Sequence, residues 1–467
     1  MDLNWSASQD GMRLELRGWL ERNLAEWQAE IGTELSGDTR DGFAQQLLWE
    51  RGLFEAGWSA VAWPEAYGGR DGTLWDWLIF EEEYWRAGAP QRVTQNGIQI
   101  LAPSLFEHGT QVQKDLLLPR IAAAEDLWCQ GWSEPNAGSD LAGVSSRARR
   151  VPGGWVLDGQ KTWTTRGAFC THLFGLFRSD PDSERHRGLT YLLVPLDLDG
   201  IVVRGFGRLD GDEGFAEVFF TEAFLPDDAV GTSVVLGEVD RGWSVAVSAA
   251  STERGLLRSP GRYQATVAGL LDLWAERGGD AALRRRIAAA WMRVDAYRLQ
   301  TRQTITTLLD GVDLGSEASL AKVWWSELDI ELHEIALDLL GVDAELEGPW
   351  SKGHQFSLAG PIYAGTNEVQ RNIVAERVLG LPRCGSGSTR TARRCARQPE
   401  ICWPSCARPR RCGRPGPGSR TGHRGTHWPT RARWACWCRS PREAWDSTRP
   451  TWCRSWRRPG GPRCPIR

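Results

Sequence analysis

Before residue 384 the sequence is nearly free of cysteine: Cys129 and Cys170 stand alone there, although the 467-residue chain holds 11. Two isolated thiols exclude a disulfide scaffold and suit a reducing compartment. No apolar run approaches the ~18 residues that a membrane span needs. The opening MDLNWSASQD has no basic stretch followed by an apolar core, so it does not read as a secretory signal. These absences lead to the expectation of a soluble, cytoplasmic protein with no membrane partner. There is also no Walker loop and no GxGxxG after a strand; GGRDG at 68–72 reads as a turn. No two of the seven His fall at HExxH or another ligand spacing, and GxSxG is missing. Nucleotide hydrolysis, metal catalysis and serine-hydrolase chemistry lose their sequence support.

Residues 384–467 lack almost everything a core is built from. They contain no Leu, Val, Phe, Tyr, Met, Lys or Asn, yet 9 of the 11 Cys and 7 of the 26 Trp. So few branched aliphatic side chains cannot offset the entropy of ordering. Cys402, Cys406, Cys412 and the Cys436–Cys438 pair do not form two paired hooks of a zinc site. The segment is expected to be a disordered tail, translated in a shifted frame. Its 20 Arg and 3 acidic residues carry +17, so the first 383 residues carry −20, from 36 basic and 56 acidic side chains. An acidic body argues against nucleic acid as a partner.

What remains is organised as helical, β, helical, an α+β and mostly helical class. In MRLELRGWLERNLAEWQAEI, Leu16, Trp19, Leu20, Leu24 and Trp27 recur at helical steps. GFAQQLLWERGLFEAGW, LIFEEEYWRAG and QKDLLLPRIAAAED continue this helical domain, placed at 1–127. From Trp128 the texture becomes β, placed at 128–236. GWVLDGQKTWTT carries β-formers on both sides of Asp158-Gly159, a hairpin signal. From 237 to 383 long amphipathic stretches, such as AALRRRIAAAWMRVDAYRLQTRQTITTLLDGV, suit a helical bundle.

Two stretches carry the chemistry. In WCQGWSEPNAGSDLAG, Gly138 and Ser139 form a small-residue turn able to wrap the polar edge of a ring, and Trp132 and Trp163 offer flat faces. In GPIYAGTNEVQRNIVAERVLGLPR, Thr366 and Asn367 can cap a helix with Val369, Ile373, Val374 and Val378 as its buried stripe, stopped by Gly380 and Pro382. Its open N-terminus would favour a carbonyl oxygen or a phosphate. Loop tryptophans in a core and a well-capped bundle helix are the plainer readings of each.

Taken together and in order, SEPNAGSD and YAGTNEVQR resemble the two signatures of the acyl-CoA dehydrogenase family, echoed by WPEAYGG, DGQKTWTT and VFFTEAFLPDDAVG. The resemblance spans about residues 10–383. It implies an N-terminal α domain, a middle antiparallel β domain and a C-terminal four-helix bundle. It implies FAD and an acyl-CoA, with a carboxylate taking the α-proton while the β-hydride passes to flavin N5 to give a 2-enoyl-CoA. It further implies lipid metabolism, an electron-transfer flavoprotein as acceptor, and a homo- or heterotetramer with a sister subunit. Carried over, Gln130, Trp132, Ser133, Gly138 and Ser139 line the flavin, Trp163 and Thr165 flank it, and Thr366 and Glu368 meet it from the bundle. Ser139, Arg254, Ala364 and Gly365 face the substrate.

Many members place their base at the position of Ala364, which cannot take a proton, although its N–H can still donate to a thioester oxygen. Other branches place the base on an earlier helix, here GWSVAVSAASTERGLL. Glu253 shares a face there with Ala246, Ala249, Ala250, Leu256 and Leu257, at steps of three, four and seven. An apolar face raises a carboxylate's pKa, as a general base near neutrality requires. Glu253 is therefore the expected catalytic base, with Arg254 toward the CoA end. An Arg-x-x-Phe-Gly stretch that many members carry after this helix is not found, and no metal ligands are expected. The alternative reading is a non-catalytic partner subunit that completes a sister chain's site.

Overall fold

The computed structural model describes residues 4–31, 36–256, 258–312 and 314–382, with the helix backbone alone along 250–256. The tail at 384–467, and the expectation of its disorder, lie outside the described residues. Three helices open the chain: α1 (Ala7–Ile31), α2 (Arg40–Glu55) and α3 (Leu74–Arg86). The periodic Leu16, Leu20 and Leu24 are buried against Trp49, Leu53, Phe80 and Tyr84. The Trp49 indole N–H donates to the Tyr84 hydroxyl at 2.8 Å, so this core is polar-satisfied at its centre. Thr73 and Asp76 start α3 with a reciprocal capping box, and Thr110 and Gln113 do the same for α5 (Gln111–Ala122). Between them, a π-helical turn at Asn96–Leu101 leads into α4 (Ala102–His108).

Seven strands follow: β1 (Trp128–Gly131), β2 (Arg147–Val151), β3 (Gly154–Thr165), β4 (His172–Arg178), β5 (Leu189–Pro195), β6 (Ile201–Phe206) and β7 (Phe215–Pro226). The sheet order is β1-β4-β2-β3-β7-β6, with β5 beside β4. Pairing is mostly antiparallel, but β4 runs parallel to β1 and β2. The hairpin expected at Asp158-Gly159 is not there. β3 runs straight through, with a bulge between Leu157 and Gly159, and the hairpin turns earlier, between Val151 and Gly154. Asp158 spends its side chain on the Glu222 N–H at 2.9 Å, and Gly159 adopts φ +136° with Ser146 packed against it. Bulge and hairpin draw on the same Asp-Gly chemistry.

The C-terminal helices are α6 (Gly242–Leu256), α7 (Pro260–Arg277), α8 (Ala281–Leu309), α9 (Ala318–Leu340), α10 (Pro349–Ser357) and α11 (Asn367–Ile373). α7, α8 and α9 build one core around Tyr263, Leu270, Val294, Tyr297, Trp325 and Leu332. α6 lies against α9, while its Val245, Ala246 and Ala249 are buried in the core of the sheet. The chain breaks between α6 and α7 because Pro260 denies its predecessor helical backbone, and Ser259 then caps α7 by accepting from the Gly261 N–H. Among the described residues no helix is long and apolar enough to cross a membrane.

Candidate active site

The SEPNAGSD loop follows β1 and is held from beneath. Glu134 and Ala137 exchange backbone hydrogen bonds, each 3.0 Å long. The Glu134 carboxylate then accepts from Ser145 N (2.6 Å), Ser146 N (2.9 Å) and Lys161 Nζ (2.8 Å). Burial opposes its charge, but the Lys161 ammonium and these donors prevail and pull its pKa down to about 2. Lys161 is fully buried and also donates to Leu176 O at 2.6 Å. Glu134 and Lys161 were not singled out from sequence. The only signal is the charge of Lys161 on the β-rich stretch GWVLDGQKTWTT, and Glu134, in the loop, carries none.

This ion pair leaves the rest of the loop presented outward. Gly138 and Ser139 are exposed, and a Cβ built at Gly138 would meet nothing within 4 Å. Ser133 is half-buried, and its carbonyl accepts from the Thr162 N–H at 2.9 Å, joining loop to β3. Gln130 lies on β1 with its Nε2 buried and unpartnered. Trp132 donates its indole N–H to the Tyr191 hydroxyl at 3.3 Å and stands edge-on to that ring. Trp163, at φ +58°, is 61% exposed yet flanked edge-on by Phe206 and Phe215 at 5.3 and 5.5 Å. Thr165 is half-buried, and its carbonyl accepts from Asn96 of the π-helical turn at 3.4 Å. The strand end beyond it is tied down by Arg166 and Arg208, which share the buried Asp38 carboxylate at 2.8 and 2.6 Å.

On the bundle side Ala364 takes φ +52° and Gly365 φ +84°, a left-handed pair in front of α11. Among the described residues nothing accepts from the Ala364 N–H. Thr366 caps α11 as expected, accepting from the Val369 N–H. The N-terminus is less open than the sequence suggested, since Asn367 N is taken by Pro361 O at 2.8 Å. Glu368 is exposed. The valine stripe is also a misreading. α11 ends at Ile373 in a π-helical turn, Val378 is exposed, and the buried positions are Asn367 and Gln370. Hydrogen bonds decide this: Asn367 Oδ1 accepts from Lys322 Nζ (2.8 Å) and Ser326 Oγ (3.1 Å), and Gln370 reaches Ala364 O at 3.4 Å.

Glu253 and Arg254 lie on the last turn of the α6 backbone, and their side chains lie outside the described residues. The face assigned to Glu253 is buried where it can be followed, at Ala246 and Ala249. α6 packs on α9, on β5, on the π-helical turn and on α4. Just beyond it, Arg258 donates to the Tyr363 hydroxyl at 2.7 Å, one residue before Ala364. Sequence reasoning missed Arg258 because no spacing links it to Tyr363, 105 residues on.

The residues present fit a flat ring with a polar edge. The Gln130 amide nitrogen without a protein partner, the open space over Gly138 and the exposed Trp163 leave room for such a ring on this face of the sheet. Among the described residues no three His, Cys, Asp or Glu come together as metal ligands.

A helical domain, a curled sheet carrying the SEPNAGSD loop and a helical bundle carrying the Ala364 turn define an acyl-CoA dehydrogenase. The chain belongs to that family: its N-terminal, middle and C-terminal domain profiles match residues 6–125, 129–223 and 240–379. The family consists of FAD-dependent oxidoreductases acting on acyl-CoA. The chain is 38% identical over 392 residues to the acyl-CoA dehydrogenase IpdE1 of Mycolicibacterium smegmatis, covering 79% of this chain and 97% of the relative. Among solved structures it is similar to the ChsE4-ChsE5 complex from Mycobacterium tuberculosis, with TM-score 0.70, 27% identity, and 82% and 100% of the two chains covered. It is likewise similar to the Tcur3481-Tcur3483 steroid ACAD, with TM-score 0.72, 25% identity, and 82% and 100% covered.

Proposed function

We propose that this chain oxidises an acyl-CoA thioester to the 2-enoyl-CoA with Glu253 as the base that removes the α-proton. The observation that carries this reading is the bond from Arg258 to Tyr363, which ties the chain five residues after Glu253 to the residue before Ala364. Ala364 leaves no carboxylate in the turn but keeps a donor N–H for the thioester oxygen as enolate charge develops. FAD supplies the hydride acceptor. Gln130, Trp132, Ser133, Gly138 and Ser139 line it, Trp163 and Thr165 bracket the ring, and Thr366 and Glu368 close it from the bundle. Ser139, Arg254, Ala364 and Gly365 hold the substrate. The domains are 1–127, 128–236 and 237–383. An electron-transfer flavoprotein is the acceptor, and the compartment is the cytoplasm. Likeness to a two-component complex and to a steroid ACAD supports a sister subunit and a steroid-derived acyl group.

The test is the visible spectrum of the protein ending at Arg383, titrated anaerobically with acyl-CoAs. Bleaching of flavin bands by a substrate, lost in Glu253→Gln with binding retained, is expected. A fully active Glu253→Gln enzyme would overturn the assignment. Ala364 in the turn also favours a second reading, a non-catalytic partner subunit. A protein that gains flavin only with a co-expressed sister chain, in a complex whose activity survives Glu253→Gln, would establish it.

A further inference from the structure

Arg258 occupies an unusual place. It stands in the break between α6 and α7, half-buried, with its guanidinium 5.7 Å from the Trp325 ring centre and 5.6 Å from that of Tyr363. Among the described residues no carboxylate makes a direct ion pair with it, Asp329 and Glu81 acting from longer range, and its buried Nε has no acceptor. Its one described side-chain hydrogen bond goes to the Tyr363 hydroxyl. Its carbonyl, freed by the helix break, accepts from the Tyr297 hydroxyl of α8 at 2.7 Å. Burial opposes its charge, while Tyr363 and the more distant Asp329 favour it, so the bond to Tyr363 is the direct tie its guanidinium makes among the described residues.

The turn it reaches is otherwise held from one side. Asn367 is bonded to α9 through Lys322 and Ser326, Arg371 pairs with Glu327, and Gln370 holds Ala364 O. All of these anchor the turn to α9 and α11. Arg258 reaches it from the α6 end. We propose that Arg258 is a positioning residue: through the Tyr363 hydroxyl it sets the Ala364 turn against the end of α6, aligning the Ala364 N–H with the base on Glu253. The inference rests on Glu253 being the base. Proton removal from a thioester needs base and oxygen donor aligned on one α-carbon together, so a loosened link slows that step while leaving CoA binding intact.

The experiment uses the FAD-loaded protein, with its sister chain if one co-purifies, and acetoacetyl-CoA as the probe. The α-proton of this thioester is acidic enough to leave without any hydride transfer. Its enolate is read by near-ultraviolet absorbance across pH. In Arg258→Gln and Tyr363→Phe, the pH midpoint of enolate formation is expected to rise by about one unit, a tenfold loss, with the probe's Kd changed less than about threefold. Arg258→Lys should recover part of the shift. The R258Q/Y363F double variant should be no worse than Tyr363→Phe alone, because the two residues act in series. Additive single effects, or an unmoved midpoint with only a lowered melting temperature, would overturn the proposal. Glu253→Gln is the separate control: an enolate midpoint unmoved in it removes the base assignment, whereas a raised midpoint there beside unmoved Arg258 variants removes only the positioning role.

Discussion

Lys161→Met removes the ammonium beneath the SEPNAGSD loop and keeps its stem. Both partners of the Glu134–Lys161 pair are buried, with side chains 5% and 0% exposed, and the contact is 2.8 Å. Breaking such a pair from one side costs about 3–5 kcal/mol, since an uncompensated charge stays behind. Here Ser145 N, Ser145 Oγ and Ser146 N still donate to the carboxylate, so the lower end, about 3 kcal/mol at pH 7, is expected. The acid limb gives a second handle. The folded pKa of Glu134, about 2, lies below the ordinary 4.5. Its contribution is therefore full above pH 4.5 and is lost as pH falls from there toward 2. After discounting for solvent screening it is worth roughly 2 kcal/mol. Wild-type stability should thus fall through this window, and the variant's much less, so the difference between them shrinks as pH drops. Urea unfolding at pH 7, 5, 4 and 3 measures both. A loss under about 0.5 kcal/mol at pH 7, or a difference that stays constant down to pH 3, would refute the argument.

Two further substitutions probe the backbone. Gly159→Ala would put a Cβ 2.4 Å from Ser146 Oγ and 2.7 Å from Ser146 Cα at φ +136°, so a loss of at least about 2 kcal/mol in urea unfolding is expected. Ala364→Gly should relieve the left-handed strain at φ +52°. That gain of about 1–2 kcal/mol is partly offset by the entropy a glycine adds to the unfolded chain. The net is a slightly higher melting temperature, and a drop of several degrees would count against the strain reading.

The helices and the motif loops were legible because each repeats a local rule. Leu16, Leu20 and Leu24 announce a helix by spacing, and Thr366 stands where a cap belongs. The bulge at Gly159 was read as a hairpin because Asp-Gly serves both, and only the pairing of β3 with β7 distinguishes them. The stripe on α11 failed for a different reason: Asn367 and Gln370 are buried by partners on α9 and in the Ala364 turn, which no periodicity can supply. In the site, residues within SEPNAGSD and YAGTNEVQR could be named, but their supports could not. Lys161 lies 27 residues from Glu134, and Arg166 lies 128 from Asp38. Such partners are chosen by the fold, after the local segments are already in place.

The break after α6 leaves that helix seated between two cores. Val245, Ala246 and Ala249 belong to the core of the sheet, while the same helix lies against α9 of the bundle, so amide exchange in α6 should follow whichever of the two cores opens first. Mild denaturant should accordingly silence proton removal at the first loss of either core, because the helix that carries Glu253 needs both to hold its place.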